Sequence, residues 1–168
     1  PYMDGEKVSV KAISDKAEAF EGRMEAFIMD FGGDILWNET TGCRLQTDES
    51  ADLMSVDTAL LAGNRLLYVR ILKDGVTVSE NTFYTRFPKE YEYGCPDISF
   101  EVQECAEGLE LTVSSDRLAR GLYLFSDNAD DFFEDNYMDL LPGFPRKITV
   151  RTGSTAEEFK TTLKYQTL

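Results

Sequence analysis

This 168-residue chain carries 31 aspartates and glutamates and no histidine, and those two counts bound its chemistry. Two carboxylates about 5 to 9.5 Å apart across a sugar site are the machinery of glycoside hydrolysis. With so many acids some pair meets that distance by chance, and no motif places one, so intrinsic hydrolysis is not expected. Lack of histidine removes the usual general base, the usual proton shuttle and the commonest transition-metal ligand. The run holding Asp127, Asp130, Asp131, Glu134 and Asp135 gathers oxygens of the kind calcium takes. It lacks the spacing and glycine of an EF-hand, and like-charged runs are usually solvated loops. No metal and no cofactor is expected.

Cys43, Cys95 and Cys105 include no Cys-x-x-Cys pair, and an odd number leaves at least one thiol unpaired. Without histidine to form a thiolate pair they read as unreactive, partly buried thiols. A Cys95–Cys105 bond across adjacent strands stays open as the alternative.

Stacking of aromatic faces on sugar rings is the binding chemistry left to consider. Its candidates are Trp37, Tyr91 and Tyr93. Core or interface packing is the default for Trp37 within Ile35-Leu36-Trp37-Asn38, and Tyr91 and Tyr93 read as packing at the junction of two sandwiches. The segment Asp135-Asn136-Tyr137-Met138-Asp139-Leu140-Leu141-Pro142-Gly143 allows two readings. In one, Asp135, Asn136 and Asp139 are ligands for a sugar or an ion. In the other, Tyr137 and Leu140 enter the core, Pro142-Gly143 forms a turn and Asn136 bonds neighbouring backbone. The mixture of turn chemistry with alternating apolar positions favours the structural reading.

A net charge of −14 repels phosphate backbones and anionic headgroups, which makes nucleic acid and membrane poor partners and leaves a neutral sugar or a protein permitted. No stretch of 18 or more apolar residues occurs and no export signal opens the chain. The first residues read as entry into a strand, as expected of a fragment whose targeting signal lies elsewhere.

The elements that must hold these groups are all β. Short alternating runs bounded by turn residues recur, with no long apolar pattern of period 3.6. Val8 to Ile13, Arg23 to Phe31 and Ile35 to Thr40 read as strands, the last two joined by Gly32-Gly33-Asp34. Ala51 to Leu61 fits either a strand with an irregular end or one helical turn. Arg65 to Leu72 and Val76 to Phe87 form a hairpin about Asp74-Gly75. A boundary falls at Phe87-Pro88, since proline cannot donate to a ladder. Beyond it, Asp97 to Glu104 pairs with Leu109 to Ser114 through Glu107-Gly108. Gly121 to Phe125, Tyr137 to Leu141, Arg146 to Arg151 and Phe159 to Leu168 follow as further strands. Each half thus carries roughly six or seven strands, the pattern of two consecutive immunoglobulin-like β-sandwiches over residues 1–88 and 89–168.

Three stretches together resemble a family. Asp135 to Gly143, preceded by Leu124-Phe125-Ser126-Asp127, is similar to the DNYFDLLPG segment of the C-terminal immunoglobulin-like domain of glycoside hydrolase family 2 β-mannosidases. Met138 replaces the usual phenylalanine, which a core position tolerates. Asn81-Thr82-Phe83-Tyr84 with Phe87-Pro88-Lys89 resembles the junction leading into that domain. Ile13-Ser14-Asp15 with Met29 to Leu36 resembles a pattern of the preceding sandwich, often described as carbohydrate-module-like. Exo-β-glucosaminidases share this layout.

The resemblance implies two non-catalytic sandwiches that pack on and stabilise a (β/α)8 barrel outside this chain. The expected partners are the catalytic and N-terminal domains of a parent enzyme, with carbohydrate as the alternative. It also implies a periplasmic or secreted bacterial setting, or a lysosome in animals.

Overall fold

The computed structural model describes residues 1–15 and 17–168. Its strands run β1 (Tyr2–Asp4), β2 (Lys7–Ile13), β3 (Phe20–Asp30), β4 (Ile35–Leu45), β5 (Ser50–Asp57), β6 (Arg65–Lys73) and β7 (Val76–Phe83). They continue as β8 (Ile98–Cys105), β9 (Gly108–Ser115), β10 (Ala119–Ser126), β11 (Phe132–Phe133), β12 (Met138–Leu140), β13 (Arg146–Arg151) and β14 (Leu163–Gln166), with helix α1 (Ala156–Thr162) before the last. Single 3-10 turns sit at Thr58–Leu61 and Pro88–Glu90. The chain divides into two units, one of residues Pro1–Asp30 and Asp34–Glu92, the other of Phe31–Gly33 and Tyr93–Leu168.

In the first unit a three-stranded sheet, β1-β2-β5, and a four-stranded sheet, β4-β3-β6-β7, pair antiparallel throughout. Alternation places Met24, Ala26 and Ile28 of β3 and Leu67 and Val69 of β6 on one inner face. Val8 and Val10 of β2, with Val56 of β5, supply the other. Ala12, Cys43 and Leu45 form a smaller cluster. The ambiguous Ala51–Leu61 stretch contains both expected forms: β5, then a 3-10 turn that Asp57 caps by accepting from the Ala59 N–H at 2.8 Å. Between β6 and β7, Asp74 and Gly75 have φ of 52° and 83°, the two left-handed residues of a type I′ hairpin. Strand β7 stops at Phe83, short of the expected Phe87, where Pro88 opens its 3-10 turn instead.

The second unit has the same three-plus-four arrangement, β12-β10-β14 and β11-β13-β9-β8. Leu109, Leu111 and Val113 of β9, Ile148 and Val150 of β13, and Ala119, Leu122 and Leu124 of β10 share one core with Met138 and Leu140 of β12. Phe31 belongs here, its ring 5.5 Å from that of Tyr93 and its carbonyl accepting from the Leu118 N–H. At the β8–β9 hairpin Gly108 has φ of +130°, and a Cβ there would lie 2.4 Å from the Val150 carbonyl oxygen.

One expected strand is corrected. Residues from Phe159 form not a strand alone but the end of α1 followed by β14. Thr155 and Glu158 make a capping box: the Glu158 N–H donates to the Thr155 hydroxyl at 3.3 Å, and the Thr155 N–H to the Glu158 carboxylate at 2.9 Å. The helix buries Phe159 completely in the core.

Candidate functional site

The Asp135–Gly143 segment carries β12 and the turn after it. The side-chain oxygen of Asn136 accepts from the Leu124 N–H, and its amide nitrogen donates to the Leu124 carbonyl, both at 2.7 Å. The Asp139 carboxylate accepts from the Gly121 N–H at 2.9 Å. Asp135 accepts from the Asn136 N–H at 2.8 Å. Pro142 is buried, and the Phe144 N–H reaches the Leu141 carbonyl across a turn whose third residue, Gly143, has φ of +78°. That φ belongs to the third position of a type II turn, where glycine fits without strain.

Leu140 enters the core as expected, but Tyr137 does not. It is 72% exposed. With φ of +58°, it precedes inward-facing Met138 and itself faces outward, where the ring stacks on Tyr123 at 4.7 Å and 15°. Tyr123 stacks in turn on Phe125 at 5.4 Å and 17°. A left-handed backbone at a residue with a Cβ costs roughly 1–2 kcal/mol. The Asn136 and Asp139 side-chain bonds on either side hold the chain in that conformation. The spacing of Met138 and Leu140 is the signal that could have placed Tyr137 outside the core, as the alternation Leu122-Tyr123-Leu124-Phe125 places Tyr123 and Phe125.

The three aromatic candidates stand in different surroundings. Trp37 stands opposite Ile28 on β4 and is half-buried against the first unit's core. Tyr91 is 6% exposed, set edge-on to Tyr84 with the Arg86 guanidinium 4.3 Å over its ring. Tyr93 lies against Phe31, and its hydroxyl accepts from Arg120. Tyr91 belongs to the first unit and Tyr93 to the second.

A polar cluster that sequence reading missed covers the outer face of β3 and β6. Glu25 accepts from Arg70 at 2.7 and 2.8 Å and pairs with Arg23 at 3.0 Å. Arg70 lies over the Phe27 ring, and the Tyr68 hydroxyl donates to Glu80. The alternation of Arg23, Glu25 and Phe27 against Met24, Ala26 and Ile28 is the signal that could have found it.

The acidic loop is internally bonded. Asp131 accepts from the Ser126 hydroxyl and the Asn128 amide, Asp127 pairs with Lys164, and Glu134 with Arg151. Among the described residues no three His, Cys, Asp or Glu side chains come together as a metal site. All three cysteines are free thiols. Cys43 is buried, which pushes its thiol pKa up. Cys95 and Cys105 are exposed rather than partly buried, because the alternation of β8 points Cys105 outward and Cys95 precedes the strand.

Two antiparallel sandwiches in tandem define an immunoglobulin-like all-β region. The chain belongs to the mannosidase Ig/CBM-like domain family, whose model matches residues 6–90, and residues 95–168 match the Ig-fold domain of mannosidases. Such domains are non-catalytic accessory parts of mannosidase-type enzymes.

Among solved structures, a β-D-mannosidase from Dictyoglomus thermophilum superposes with a TM-score of 0.88 at 21% identity, over 99% of this chain and 21% of that one. An exo-chitosanase from Amycolatopsis orientalis gives 0.64 at 16% identity, over 95% of this chain and 24% of that one. Another structure of that same enzyme, there called an exo-β-D-glucosaminidase, gives 0.60 at 16%, with the same coverage. The chain therefore spans about a fifth to a quarter of these proteins' length. No curated protein sequence matches it.

Proposed function

We propose that this chain is the accessory region of a β-mannosidase-like glycoside hydrolase, packing on and stabilising a catalytic domain that lies outside it. The observation that carries the reading is the order of the two mannosidase-type domains, which follow one another over residues 6–90 and 95–168. The fold likeness to a β-D-mannosidase over 99% of this chain, and to only 21% of that protein, agrees with a part serving a larger whole. β-Mannoside is the substrate class proposed for the parent, with β-glucosaminide as the competing one.

The test mixes the purified chain with the separately expressed remainder of the parent. The expected result is co-elution, a higher melting temperature for the catalytic portion, and turnover of p-nitrophenyl-β-mannoside by the pair but not by this chain alone. A catalytic portion equally stable and active without the chain would sink the proposal. Preferred turnover of the β-glucosaminide would correct the substrate class alone.

A further inference from the structure

We propose that the outward Tyr137 ring, backed by Tyr123 and Phe125, is a binding platform for a pyranose ring of a neutral saccharide. The proposal deepens the accessory reading above and rests on it for the supply of glycan. Nothing in the core requires Tyr137, since Met138 and Leu140 of the adjoining β12 fill the interior. Its ring nevertheless stands 72% exposed on a left-handed backbone held by the Asn136 and Asp139 side-chain bonds to Leu124 and Gly121 and by the Tyr137 N–H donating to the Asn136 side-chain oxygen. A strained conformation that presents a large aromatic to solvent is a mark of a binding surface.

The ring is also held in advance. Stacking at 4.7 Å on Tyr123, itself 5.4 Å from Phe125, restricts its rotation, so little freedom is lost when a flat ligand settles on it. The carbon–hydrogen face of a pyranose is such a ligand, and hydroxyls around its rim need polar partners. Gln166 stands opposite Tyr123 and Lys164 opposite Phe125, which puts an amide and an ammonium on the same sheet face as the rings. Lys164 is paired with Asp127, so the face offers hydrogen bonds with little net charge, which favours a neutral sugar over an anion. Size points the same way. A stable protein interface covers about 800 Å² per partner. Here one exposed ring, Tyr137, stands before half-buried Tyr123 and Phe125, with exposed Lys164 and Gln166 across β10.

The experiment is an amide-shift titration of the 168-residue chain with β-1,4-mannotriose, repeated with cellotriose, on the parent sequence, Tyr137→Gly and Tyr123→Ala. Glycine adopts the local φ freely, so Tyr137→Gly removes the ring while preserving the backbone. The expected result is saturable shifts at Tyr123, Phe125, Tyr137 and Gln166, weakened at least tenfold in Tyr137→Gly with no loss of melting temperature. No saturable shift with either sugar, or shifts undiminished in Tyr137→Gly, would overturn the proposal. If Tyr137→Gly instead weakens only co-elution with the parent's catalytic portion, the patch is a protein contact: this proposal falls and the accessory reading stands. Sugar binding through Tyr137 by a chain that neither co-elutes with nor stabilises that portion would be the reverse outcome.

Discussion

Asn136→Ala removes the two bonds that tie the Asp135–Gly143 segment to β10. Each is a neutral hydrogen bond at 2.7 Å, and both end on the backbone of Leu124, which is 1% exposed. Such bonds contribute about 1 kcal/mol each, and a buried backbone group left without a partner costs about 1–3 kcal/mol. Partial rehydration tempers the sum, so a loss of about 2–4 kcal/mol is expected, a large share of what a unit of this size has. With a urea slope of about 1–1.5 kcal/mol/M, the unfolding midpoint falls by roughly 2 M. Trp37, the only tryptophan, lies in the first unit, so its fluorescence is the wrong probe. The methyl resonances of Leu122, Leu124 and Leu140 followed through urea, with hydrogen exchange at the Leu124 amide, report the second unit directly. A midpoint shift below about 0.5 M, or an unchanged exchange rate at Leu124, would refute the claim that these bonds hold the segment.

Phe159→Ala should destabilise the second unit by about 3–5 kcal/mol in the same urea experiment, because its side chain is fully buried, whereas Phe132→Ala, 58% exposed, should stay within about 0.5 kcal/mol. Glu158 is held below the usual carboxylate range by the Thr155 N–H and then the Thr155 hydroxyl, and Asp116 chiefly by the Asp97 N–H. Since both are lowered by folding, their contribution is present above the ordinary carboxylate range and is lost as pH falls through the lowered values. Glu158→Gln should therefore flatten the acid limb of a melting-temperature profile while changing its neutral part less. With an aromatic disulfide reagent, the exposed Cys95 and Cys105 should react at once and buried Cys43 only on unfolding; three fast equivalents would contradict the burial of Cys43.

Period-two alternation was legible wherever one face of a strand is buried and the other wet, as in Met24-Ala26-Ile28 or Leu109-Leu111-Val113, and it yielded the hairpins and the all-β class. It failed at Phe159 because a seven-residue helix spans barely two turns, too short for a period to register. There the signal is local, in Thr155-Ala156-Glu157-Glu158, a capping box that marks a helix start without any apolar repeat. At Tyr137 the alternation holds: Met138 and Leu140 face inward, so the residue before them faces out, and the expectation that Tyr137 and Leu140, three residues apart, both enter the core departs from that period. Trp37, Tyr91 and Tyr93 stood together as candidates for sugar stacking with packing as their default, and while Tyr91 meets its near neighbours Tyr84 and Arg86, the partners of Tyr93, Phe31 and Arg120, are distant in sequence, which no local pattern encodes.

The acidic and amide residues of Asp135–Gly143 resemble a ligand set until the backbone of β10 is accounted for. Strand β10 is eight residues long and its neighbour β12 only three. Backbone pairing between them is confined to Ala119 with Leu140 and Leu122 with Met138, with a register shift between. The Gly121 N–H falls within that shift, and the Leu124 N–H and carbonyl lie past its end. A buried strand cannot leave such groups unpaired without cost. The Asp139 carboxylate answers the first and the Asn136 amide, both donor and acceptor, answers the second pair. An aspartate suffices where one donor needs a partner, and an amide is required where a donor and an acceptor stand together. Backbone accounting thus explains why these residue types occupy these positions with no ligand invoked. Tyr137 differs: its outward ring satisfies no backbone group and, 72% exposed, is the side chain of the segment that a ligand could meet.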